Sequence, residues 1–422
     1  MTLKFKWETE FKQTEIGKVP REWGIEKLGK AVKVKHGFAF PSKYFKDYGE
    51  IPVIKIQNIQ DDNSINLENC QFVVPSEINK NLNKYYLKNG DILIALTGAT
   101  AGKIGVLKGP YNKYFLNQRV GKCEIRNTSF SLFFIYYLLT LGFYRNWLFD
   151  LADGSAQGNM SPSDIEENII IPFPLPQEQS RIAAVLSWFD DLIENKKRQN
   201  EILEKTAMAI FKSWFVDFEP FKDEEFVYSE ELGKEIPKGW EVEELGEFAE
   251  IIMGQSPSSK YYNKEGEGLP FIQGKGQYGR YTPETTVYCS RLLKIAKPND
   301  ILVTVRAPVG ELNLADREYI IGRGVASLRS KYWIFLFLYL LIDNERLKSY
   351  ERGTTYDAIT REEIDTFPLL LPPQPILEKF HSLVEPLFQK IILNQKQIMV
   401  LRKIRDALLP KLVFGKLRVM EI

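Results

Sequence analysis

The stretch from Leu96 to Gly105, "LTGATAGKIG", carries the glycines and the lysine of a phosphate-binding loop. A nucleotide-binding loop of that type needs two glycines separated by four residues, followed by Lys and by a Ser or Thr whose hydroxyl binds magnesium. Here Gly98 and Gly102 are separated by three residues, and Ile104 occupies the position of the hydroxyl. The spacing therefore argues against nucleotide binding.

A second glycine motif, "GKGQYG" from Gly274 to Gly279, has the GxGxxG spacing of dinucleotide-binding proteins. That fingerprint requires a helix that begins at the glycines and an acidic residue on the following strand. The residues that follow, "RYTPETTVY", contain a proline and several β-branched side chains, which do not favour a helix. This motif also fails to predict a nucleotide site.

Residues for catalysis or metal binding form no recognisable set. The two histidines, His36 and His381, have no nearby Ser or Cys in a triad-like setting. The three cysteines lie far apart without a CxxC pair, which argues against a zinc site and favours buried thiols: Cys70, Cys123 and Cys289. The Asn-Pro-Pro-aromatic stretch of amino-methyltransferases is also missing, so we do not expect an enzyme that acts alone.

A set of polar side chains with many hydrogen-bond donors lies next to glycine turns, and such side chains can bind DNA. Lys and Arg bind phosphates and guanine edges, and Asn and Gln pair with adenine. The alternative is a solvated surface with ordinary turn chemistry. The predicted DNA-binding residues are Lys55, Gln57, Asn58, Thr97, Thr100, Lys103, Arg119, Gln273, Lys275, Gln277, Arg306 and Arg323.

These residues fall in two copies of one pattern, and this recurrence favours the DNA interpretation over a solvated surface. "EIGKVPREWGIEKLG" from Glu15 returns as "ELGKEIPKGWEVEELG" from Glu231, and "NGDILIALTGATAG" from Asn89 returns as "PNDILVTVRAPVG" from Pro298. "NQRV" then matches "GRGV", and "GSAQGNMSPSDI" matches "GTTYDAITREEI". Because the loop residues differ where the framework agrees, the two copies should read different DNA sequences.

Each copy ends in a long segment with the spacing of a heptad repeat. The seam runs from Ile182 to Trp214 and recurs 198 residues later from Phe380 to Leu412. If the two helices run antiparallel with Ile182 level with Leu412, then Asn200 and Asn394 share one layer. A buried Asn pair of this kind fixes helix register, although each Asn could instead reach outward to water.

The rest of each copy mixes short β-rich runs, glycine turns and one apolar helix, which predicts an α+β globule. The apolar runs 131–143 and 332–342 are shorter than the ~20 residues needed to cross a bilayer and are expected to be buried helices. No export signal is recognisable at the N-terminus, so we expect a cytoplasmic protein. The net charge is only +1, but residues 217–250 hold thirteen acidic and three basic residues, and we expect this stretch to face a protein partner.

The chain resembles the specificity (S) subunits of type I restriction-modification enzymes. The resemblance rests on the doubled openings, "NGDILIALTGATAGKIG", "NQRV", "GSAQGNMSPSDI", "PLPQEQSRIAAVLSWFDDLIE" and the closing "LLPKLVFGKLRV". It implies two tandem α/β target-recognition domains, separated by two long helices that form an antiparallel coiled coil, with an internal pseudo-two-fold repeat. The implied segments are residues 1–175 (first target-recognition domain), 176–218 (first helix), 219–373 (second domain) and 374–422 (second helix and C-terminal tail).

The resemblance also implies a function that resides in a complex. Each domain would read one half of a bipartite, asymmetric site in double-stranded DNA, and the chain would bind two methylation subunits and, through them, two restriction subunits. S-adenosylmethionine, ATP and Mg²⁺ would be used by those partners, and this chain would hold no cofactor or metal. A free-standing sequence-specific DNA-binding regulator and a nucleotide-dependent enzyme remain as alternatives.

Overall fold

The computed structural model describes residues 3–78, 81–154, 158–349 and 358–421. Residues 155–157 and 353–357 of the two repeated "GSAQGNMSPSDI" and "GTTYDAITREEI" motifs lie outside these ranges. The chain divides into two compact units: unit 1 comprises residues 1–192 and 401–422, and unit 2 comprises residues 193–400.

The structure alternates short strands and helices. The strands are β1 (Leu3–Trp7), β2 (Phe11–Thr14), β3 (Gly17–Pro20), β4 (Gly24–Lys27), β5 (Val32–His36), β6 (Ile51–Ile54), β7 (Gln71–Val73), β8 (Tyr86–Leu87), β9 (Ile92–Ala95), β10 (Ile104–Val106), β11 (Tyr114–Leu116), β12 (Val120–Ile125), β13 (Ile170–Phe173), β14 (Phe226–Ser229), β15 (Lys234–Pro237), β16 (Glu241–Glu244), β17 (Glu250–Met253), β18 (Tyr262–Asn263), β19 (Leu269–Ile272), β20 (Tyr288–Cys289), β21 (Ile295–Ala296), β22 (Ile301–Thr304), β23 (Leu312–Leu314), β24 (Tyr319–Ile321), β25 (Val325–Arg329), β26 (Pro368–Leu371) and β27 (Leu417–Glu421). The helices are α1 (Leu28–Ala31), α2 (Leu132–Leu139), α3 (Gly142–Asp153), α4 (Pro162–Asn168), α5 (Pro176–Phe215), α6 (Leu245–Phe248), α7 (Trp333–Ile342), α8 (Asn344–Ser349), α9 (Arg361–Asp365) and α10 (Gln374–Val413).

Unit 1 contains two four-stranded sheets. The first has the strand order β10-β9-β12-β5, and all of its pairings are antiparallel. In β5 the buried Val32 and Val34 alternate with exposed lysines, the pattern of a strand with one face on the core, whereas β9 is buried throughout. The second sheet has the order β7-β6-β11-β8, and within it β6 and β11 run parallel. The mixed α+β character expected from the sequence is confirmed.

Unit 2 repeats this arrangement with one additional strand, β18, at the edge of its second sheet. Its sheets have the orders β17-β25-β22-β23 and β18-β20-β19-β24-β21, and β19 and β24 form the parallel pair. The β2–β3 hairpin of unit 1 likewise recurs as the β14–β15 hairpin. The internal repeat recognised in the sequence is therefore a repeat of strand topology.

The two predicted long helices are α5 and α10, with 40 residues each. Pro386 and Pro410 lie within α10 and do not end it. In unit 1, Ile182 and Leu412 are fully buried in the same core cluster. In unit 2, Asn394 Nδ2 donates to Asn200 Oδ1 at 2.9 Å, as the antiparallel alignment predicted.

Both helices contribute residues to both units, whereas the division expected from the sequence gave each helix a segment of its own. That four-segment division stays a prediction. The two apolar runs are helical as expected, and the first is broken between α2 and α3. Among the described residues, no helix is both long and apolar enough to span a membrane.

A ribbon made from the two chain ends was not predicted. Strand β1 pairs antiparallel with β27 in unit 1. The guanidinium of Arg418 on β27 contacts three carboxylates, at 2.6 Å from Glu8, 2.5 Å from Glu22 and 2.7 Å from Glu178. Since Glu178 lies at the start of α5, this network ties both ends of the chain to the first long helix.

Candidate nucleic-acid interface

The parallel pairing of β6 and β11 brings two predicted loops of unit 1 together. Leu116 lies opposite Ile54, and the next backbone N–H along the chain, that of Asn117, donates to the Ile54 carbonyl at 3.2 Å. Because the carboxyl ends of parallel strands meet at one sheet edge, Gln57 and Arg119 leave the sheet on the same side. Two segments that are about 60 residues apart in the chain are therefore neighbours.

The glycine-rich stretch joins the same edge. The backbone N–H of Leu96, at the end of β9, donates to the Arg119 carbonyl at 3.0 Å. The ammonium of Lys103, at the far end of the turn, lies 3.0 Å from the carboxylate of Asp61 in the loop that follows β6. All three predicted groups of unit 1 thus converge on residues 55–61, 96–103 and 117–119.

Unit 2 builds the equivalent edge from the equivalent strands. The Gly322 N–H donates to the Ile272 carbonyl at 2.7 Å, and the Val305 N–H donates to the Gly324 carbonyl at 3.0 Å. Lys275 and Glu311 form an ion pair at 2.8 Å that links two of the loops. We call the converging segments the loop clusters: residues 55–61, 96–103 and 117–119 in unit 1, and 273–277, 305–311 and 322–324 in unit 2.

The glycines of "LTGATAGKIG" allow the chain to make the tight turn at this edge. Gly98 and Gly102 have φ values of 69° and 81°, in the left-handed region that favours glycine. A Cβ at Gly102 would also lie only 3.0 Å from the Arg145 carbonyl oxygen. The turn connects β9 to β10, whereas a phosphate-binding loop leads from a strand into a helix. Gly310 has a φ of 78° in the corresponding turn of unit 2.

Six predicted residues are exposed in the loop clusters, and one of them, Lys275, forms an ion pair. Within the described part of the chain, none of the other five has a side-chain hydrogen bond or ion pair: Gln57, Arg119, Gln273, Arg306 and Arg323. Their planar amide and guanidinium groups can each form two parallel hydrogen bonds with a base edge, and the arginines can also bind phosphate. These side chains are the ones most available to DNA, and their role in binding it stays a prediction.

Asn58, one of the predicted DNA-binding residues, is buried inside its turn. It is 4% exposed, accepts from the Lys55 backbone N–H at 2.8 Å and donates to the Asn66 carbonyl at 2.9 Å. Gln277 has the same role in unit 2, since its Oε1 accepts from the backbone N–H groups of Gln273 and Gly274. Both amides hold the turn that displays their neighbours. The amide of Asn58 is buried, whereas Gln277 is half-buried, and a role of either in DNA binding stays a prediction.

The two threonines also lie close to their own backbone. Thr97 Oγ1 is buried without a hydrogen-bond partner among the described residues. Thr100 donates to the Thr97 carbonyl at 3.3 Å and is half-buried. The hydroxyl of Thr97 is therefore less accessible than that of Thr100, and a role of either threonine in DNA binding stays a prediction.

The lysines of the loop clusters contact other side chains of the protein but remain at least partly exposed to solvent. The ammonium of Lys55 lies 3.5 Å from the centre of the Phe45 ring and donates to Gln71. Burial lowers the pKa of Lys55 below its ordinary value. Lys103 and Lys275 each pair with one carboxylate that is itself at least partly exposed. A phosphate can compete for such ion pairs, because exposed pairs contribute little net free energy.

No group of three or more His, Cys, Asp or Glu side chains placed to hold a metal ion occurs in the described ranges. The three cysteines are buried free thiols, as expected.

Comparisons with known proteins agree with this architecture. A family model described as the type I restriction modification DNA specificity domain matches residues 20–205 and again residues 237–403. A type I restriction enzyme specificity subunit of Methanocaldococcus jannaschii, MjaIX, is 38% identical over 438 residues, which covers 100% of this chain and 99% of the relative. A second protein of that organism, the putative MjaX specificity subunit, is 31% identical, with 99% of both chains covered.

Among solved structures, the S subunit of a type I restriction-modification system from M. genitalium superposes with a TM-score of 0.61 at 19% identity. The match covers 93% of this chain and 96% of that one, and it shows a shared fold. The two matches to the family domain cover most of the sequence, and each falls largely within one of the two units. The chain therefore belongs to the type I restriction-modification DNA specificity family, as a subunit with two specificity domains.

Proposed function

We propose that the chain gives a type I restriction-modification complex its DNA sequence specificity. The loop cluster of unit 1 reads one half of a bipartite, asymmetric site in double-stranded DNA, and the loop cluster of unit 2 reads the other half. The chain itself is non-catalytic.

The observation that carries the proposal is that one scaffold displays two different sets of side chains. The same sheet edge presents Gln57 and Arg119 in unit 1, but Gln273, Arg306 and Arg323 in unit 2. Base edges in the major groove are distinguished by such donors and acceptors, so a repeated scaffold with different donors suits two unlike half-sites.

The proposal includes partners. Two methylation subunits bind this chain, and two restriction subunits join through them. S-adenosylmethionine serves adenine methylation and ATP with Mg²⁺ serves cleavage, all in the partner subunits. Exposed apolar side chains on the long helices support protein docking, because such residues are otherwise costly in water: Trp188, Leu192, Ile202, Leu383 and Leu393 are each at least 47% exposed. Three buried thiols fit a reducing cytoplasmic location.

The test substitutes, one at a time, an arginine that we expect to contact the bases of one half-site, in the complex with the methylation subunit. The chain is co-expressed with its cognate methylation subunit, and the N6-methylated adenines are mapped in the host DNA. Arg119→Gln should relax or change the bases of one half-site only, and Arg323→Gln those of the other half-site only. Losing one base-reading arginine costs about 1–3 kcal/mol, which is roughly 5- to 150-fold in specific binding.

Two results would contradict the proposal. Both substitutions could alter the same half-site, or neither could alter any base of the motif while the complex still methylates. Specific binding by the isolated chain at physiological salt, without methylation, would instead favour a free-standing regulator.

A further inference from the structure

Beside each loop cluster lies a turn that contains the tripeptide Ser-Lys-Tyr. It spans Ser42–Tyr44 in unit 1 and Ser259–Tyr261 in unit 2, and it forms one turn of 3-10 helix in both. The flanking sequences, "FPSKYF" and "PSSKYY", are also similar. A turn with the same lysine therefore occurs at equivalent places in both units.

In unit 1 the turn is attached to the loop cluster at both ends. Before the turn, the Gln118 N–H donates to the Phe38 carbonyl at 2.9 Å. After the turn, the ring of Phe45 lies 3.5 Å below the ammonium of Lys55. Lys43 is therefore held between Arg119's loop and the loop that follows β6.

In unit 2 the attachment is equivalent. Before the turn, the hydroxyl of Ser256 accepts from the Arg323 N–H at 3.1 Å. After the turn, the Tyr262 ring packs on Phe271 of β19, with 4.7 Å between ring centres. The turn that carries Lys260 is thus attached to Arg323 of its loop cluster on one side and to the strand that leads into the cluster on the other.

The two lysines carry charge that the protein does not neutralise. Both are exposed, and neither has an ion pair within the described residues. Each ammonium lies 5.0 Å from the ring centre of the tyrosine that follows it. A second cation approaches the same aromatic group in unit 2, where Arg291 lies 5.4 Å from the Tyr261 ring centre. A tyrosine face favours a nearby cation and limits its motion, which lowers the entropy lost when that cation binds an anion.

We propose that Lys43 and Lys260 each bind one backbone phosphate of the DNA next to the half-site read by their own unit. This proposal rests on the proposed function and extends that same interface. The lysines position each unit on the duplex and read no base, because an ammonium on a flexible stem acts as a point charge, whereas base recognition relies on bidentate groups. Their removal should therefore weaken binding to every sequence equally.

The chain supplies a matched control. A third Ser-Lys-Tyr, Ser330 to Tyr332, lies at the start of α7, outside the loop clusters. Its Lys331 is 70% exposed and lies 3.3 Å from Glu378 of α10. The Lys331→Gln variant removes the same charge from the same tripeptide, away from the proposed phosphate-binding positions.

The experiment measures DNA affinity of the complex with its methylation subunit, at several salt concentrations, for a duplex with the methylated motif and for a scrambled duplex. The slope of log K against log salt is negative, and its magnitude decreases by about 0.9 for each phosphate that the protein no longer neutralises. Lys43→Gln and Lys260→Gln should each reduce the magnitude of the slope by that amount, and the double variant by about twice as much. The two duplexes should be bound more weakly by the same factor, and Lys43→Arg should keep the wild-type slope.

An unchanged slope in Lys43→Gln and Lys260→Gln, in complexes that still prefer the motif, overturns the proposed phosphate binding while leaving the proposed function intact. Weaker binding of the motif duplex alone also overturns it, since that result would mean base reading. If the wild-type complex does not prefer the motif over the scrambled duplex, the proposed function fails and this inference fails with it. Melting temperatures of the variants, compared with that of Lys331→Gln, separate these outcomes from misfolding.

Discussion

The buried Asn200–Asn394 layer should behave as a coupled pair that reduces stability. Both residues are fully buried, and the 2.9 Å bond from Asn394 Nδ2 to Asn200 Oδ1 joins them. Asn200 Nδ2 also donates to the Ile391 carbonyl at 3.3 Å, whereas Asn394 Oδ1 has no partner among the described residues. Asn394 Nδ2 donates to Gln199 Oε1 as well, at 3.2 Å. One hydrogen bond thus joins the two asparagines directly, and one buried oxygen, Asn394 Oδ1, has lost its hydration without a replacement.

The expected magnitudes follow from this arrangement. Asn394→Leu leaves Asn200 Oδ1 buried without its donor, which costs about 1–3 kcal/mol. The double change to Leu at both positions removes the polar groups together and adds apolar packing, so it should be neutral or stabilising. For a unit of this size, each kcal/mol shifts the melting temperature by about 2–4 °C.

The assay is a double-mutant cycle of thermal unfolding on the full chain, with Asn200→Leu, Asn394→Leu and the double variant. We expect both single variants to melt below the wild type and the double variant to melt at or above it. If the losses of stability in the single variants simply add in the double variant, the two side chains are not coupled and the hydrogen bond between them does not contribute to stability. If the stabilised double variant also methylates DNA with unchanged spacing between half-sites, the layer is not needed for helix register.

Three further predictions concern side chains whose surroundings the structure defines. Asn58→Ala should lower the free energy of unfolding by about 1–2 kcal/mol, and with it the melting temperature of unit 1, because it removes buried hydrogen bonds of the turn. Gln57→Ala, one residue earlier, should leave both quantities unchanged. Thermal unfolding of the two variants measures the difference. Arg418→Met should lower the free energy of unfolding by about 3 kcal/mol, because the carboxylate of Glu178, 4% exposed, loses its cation; denaturant unfolding measures this. Burial lowers the pKa of His381 in the folded protein below its ordinary value of about 6.5, so folding favours the neutral imidazole. This contribution to stability is fully present above pH ~6.5 and is lost as the pH falls through the lowered pKa. His381→Leu should therefore make the melting temperature less dependent on pH below about 6.5.

Controls for these predictions are available in the same chain. Lys30→Met removes an exposed ion pair with Glu26, in which the lysine is 65% exposed, and should change stability by less than about 1 kcal/mol. If Arg418→Met destabilises no more than Lys30→Met, the three-carboxylate network does not hold the chain ends. Equal melting of the Asn58 and Gln57 variants would contradict the structural role given to Asn58, and an unchanged pH dependence in His381→Leu would contradict the role of its neutral form.

The features that the sequence could predict are periodic or repeated. The heptad spacing predicted which layer Asn200 and Asn394 would share, because the helix period fixes which side chains face a partner helix. The doubled motifs likewise predicted two copies of one domain before any strand pairing was known. Both inferences depend only on spacing within the chain.

Contacts between residues that are far apart in the chain could not be predicted from spacing or repeats. The convergence of Gln57 with Arg119 arises from one parallel strand pair, and the network of Arg418 joins residues up to 410 positions apart. Burial within a turn was equally hidden, since Asn58 and Gln57 are adjacent and chemically similar, yet the 3-10 turn directs one inward and the other outward. Residue type alone could not distinguish the side chain that holds the loop from the one that it displays.

DNA specificity is best measured by mapping the adenines that are methylated when this chain is co-expressed with its cognate methylation subunit. We expect one bipartite, asymmetric motif. Exchanging the loop cluster of unit 1 for that of a relative should change one half-site and leave the other unchanged, and the reciprocal exchange in unit 2 should change only the other half. A continuous motif, or a single exchange that alters both halves, would show that the two units do not each read one half-site.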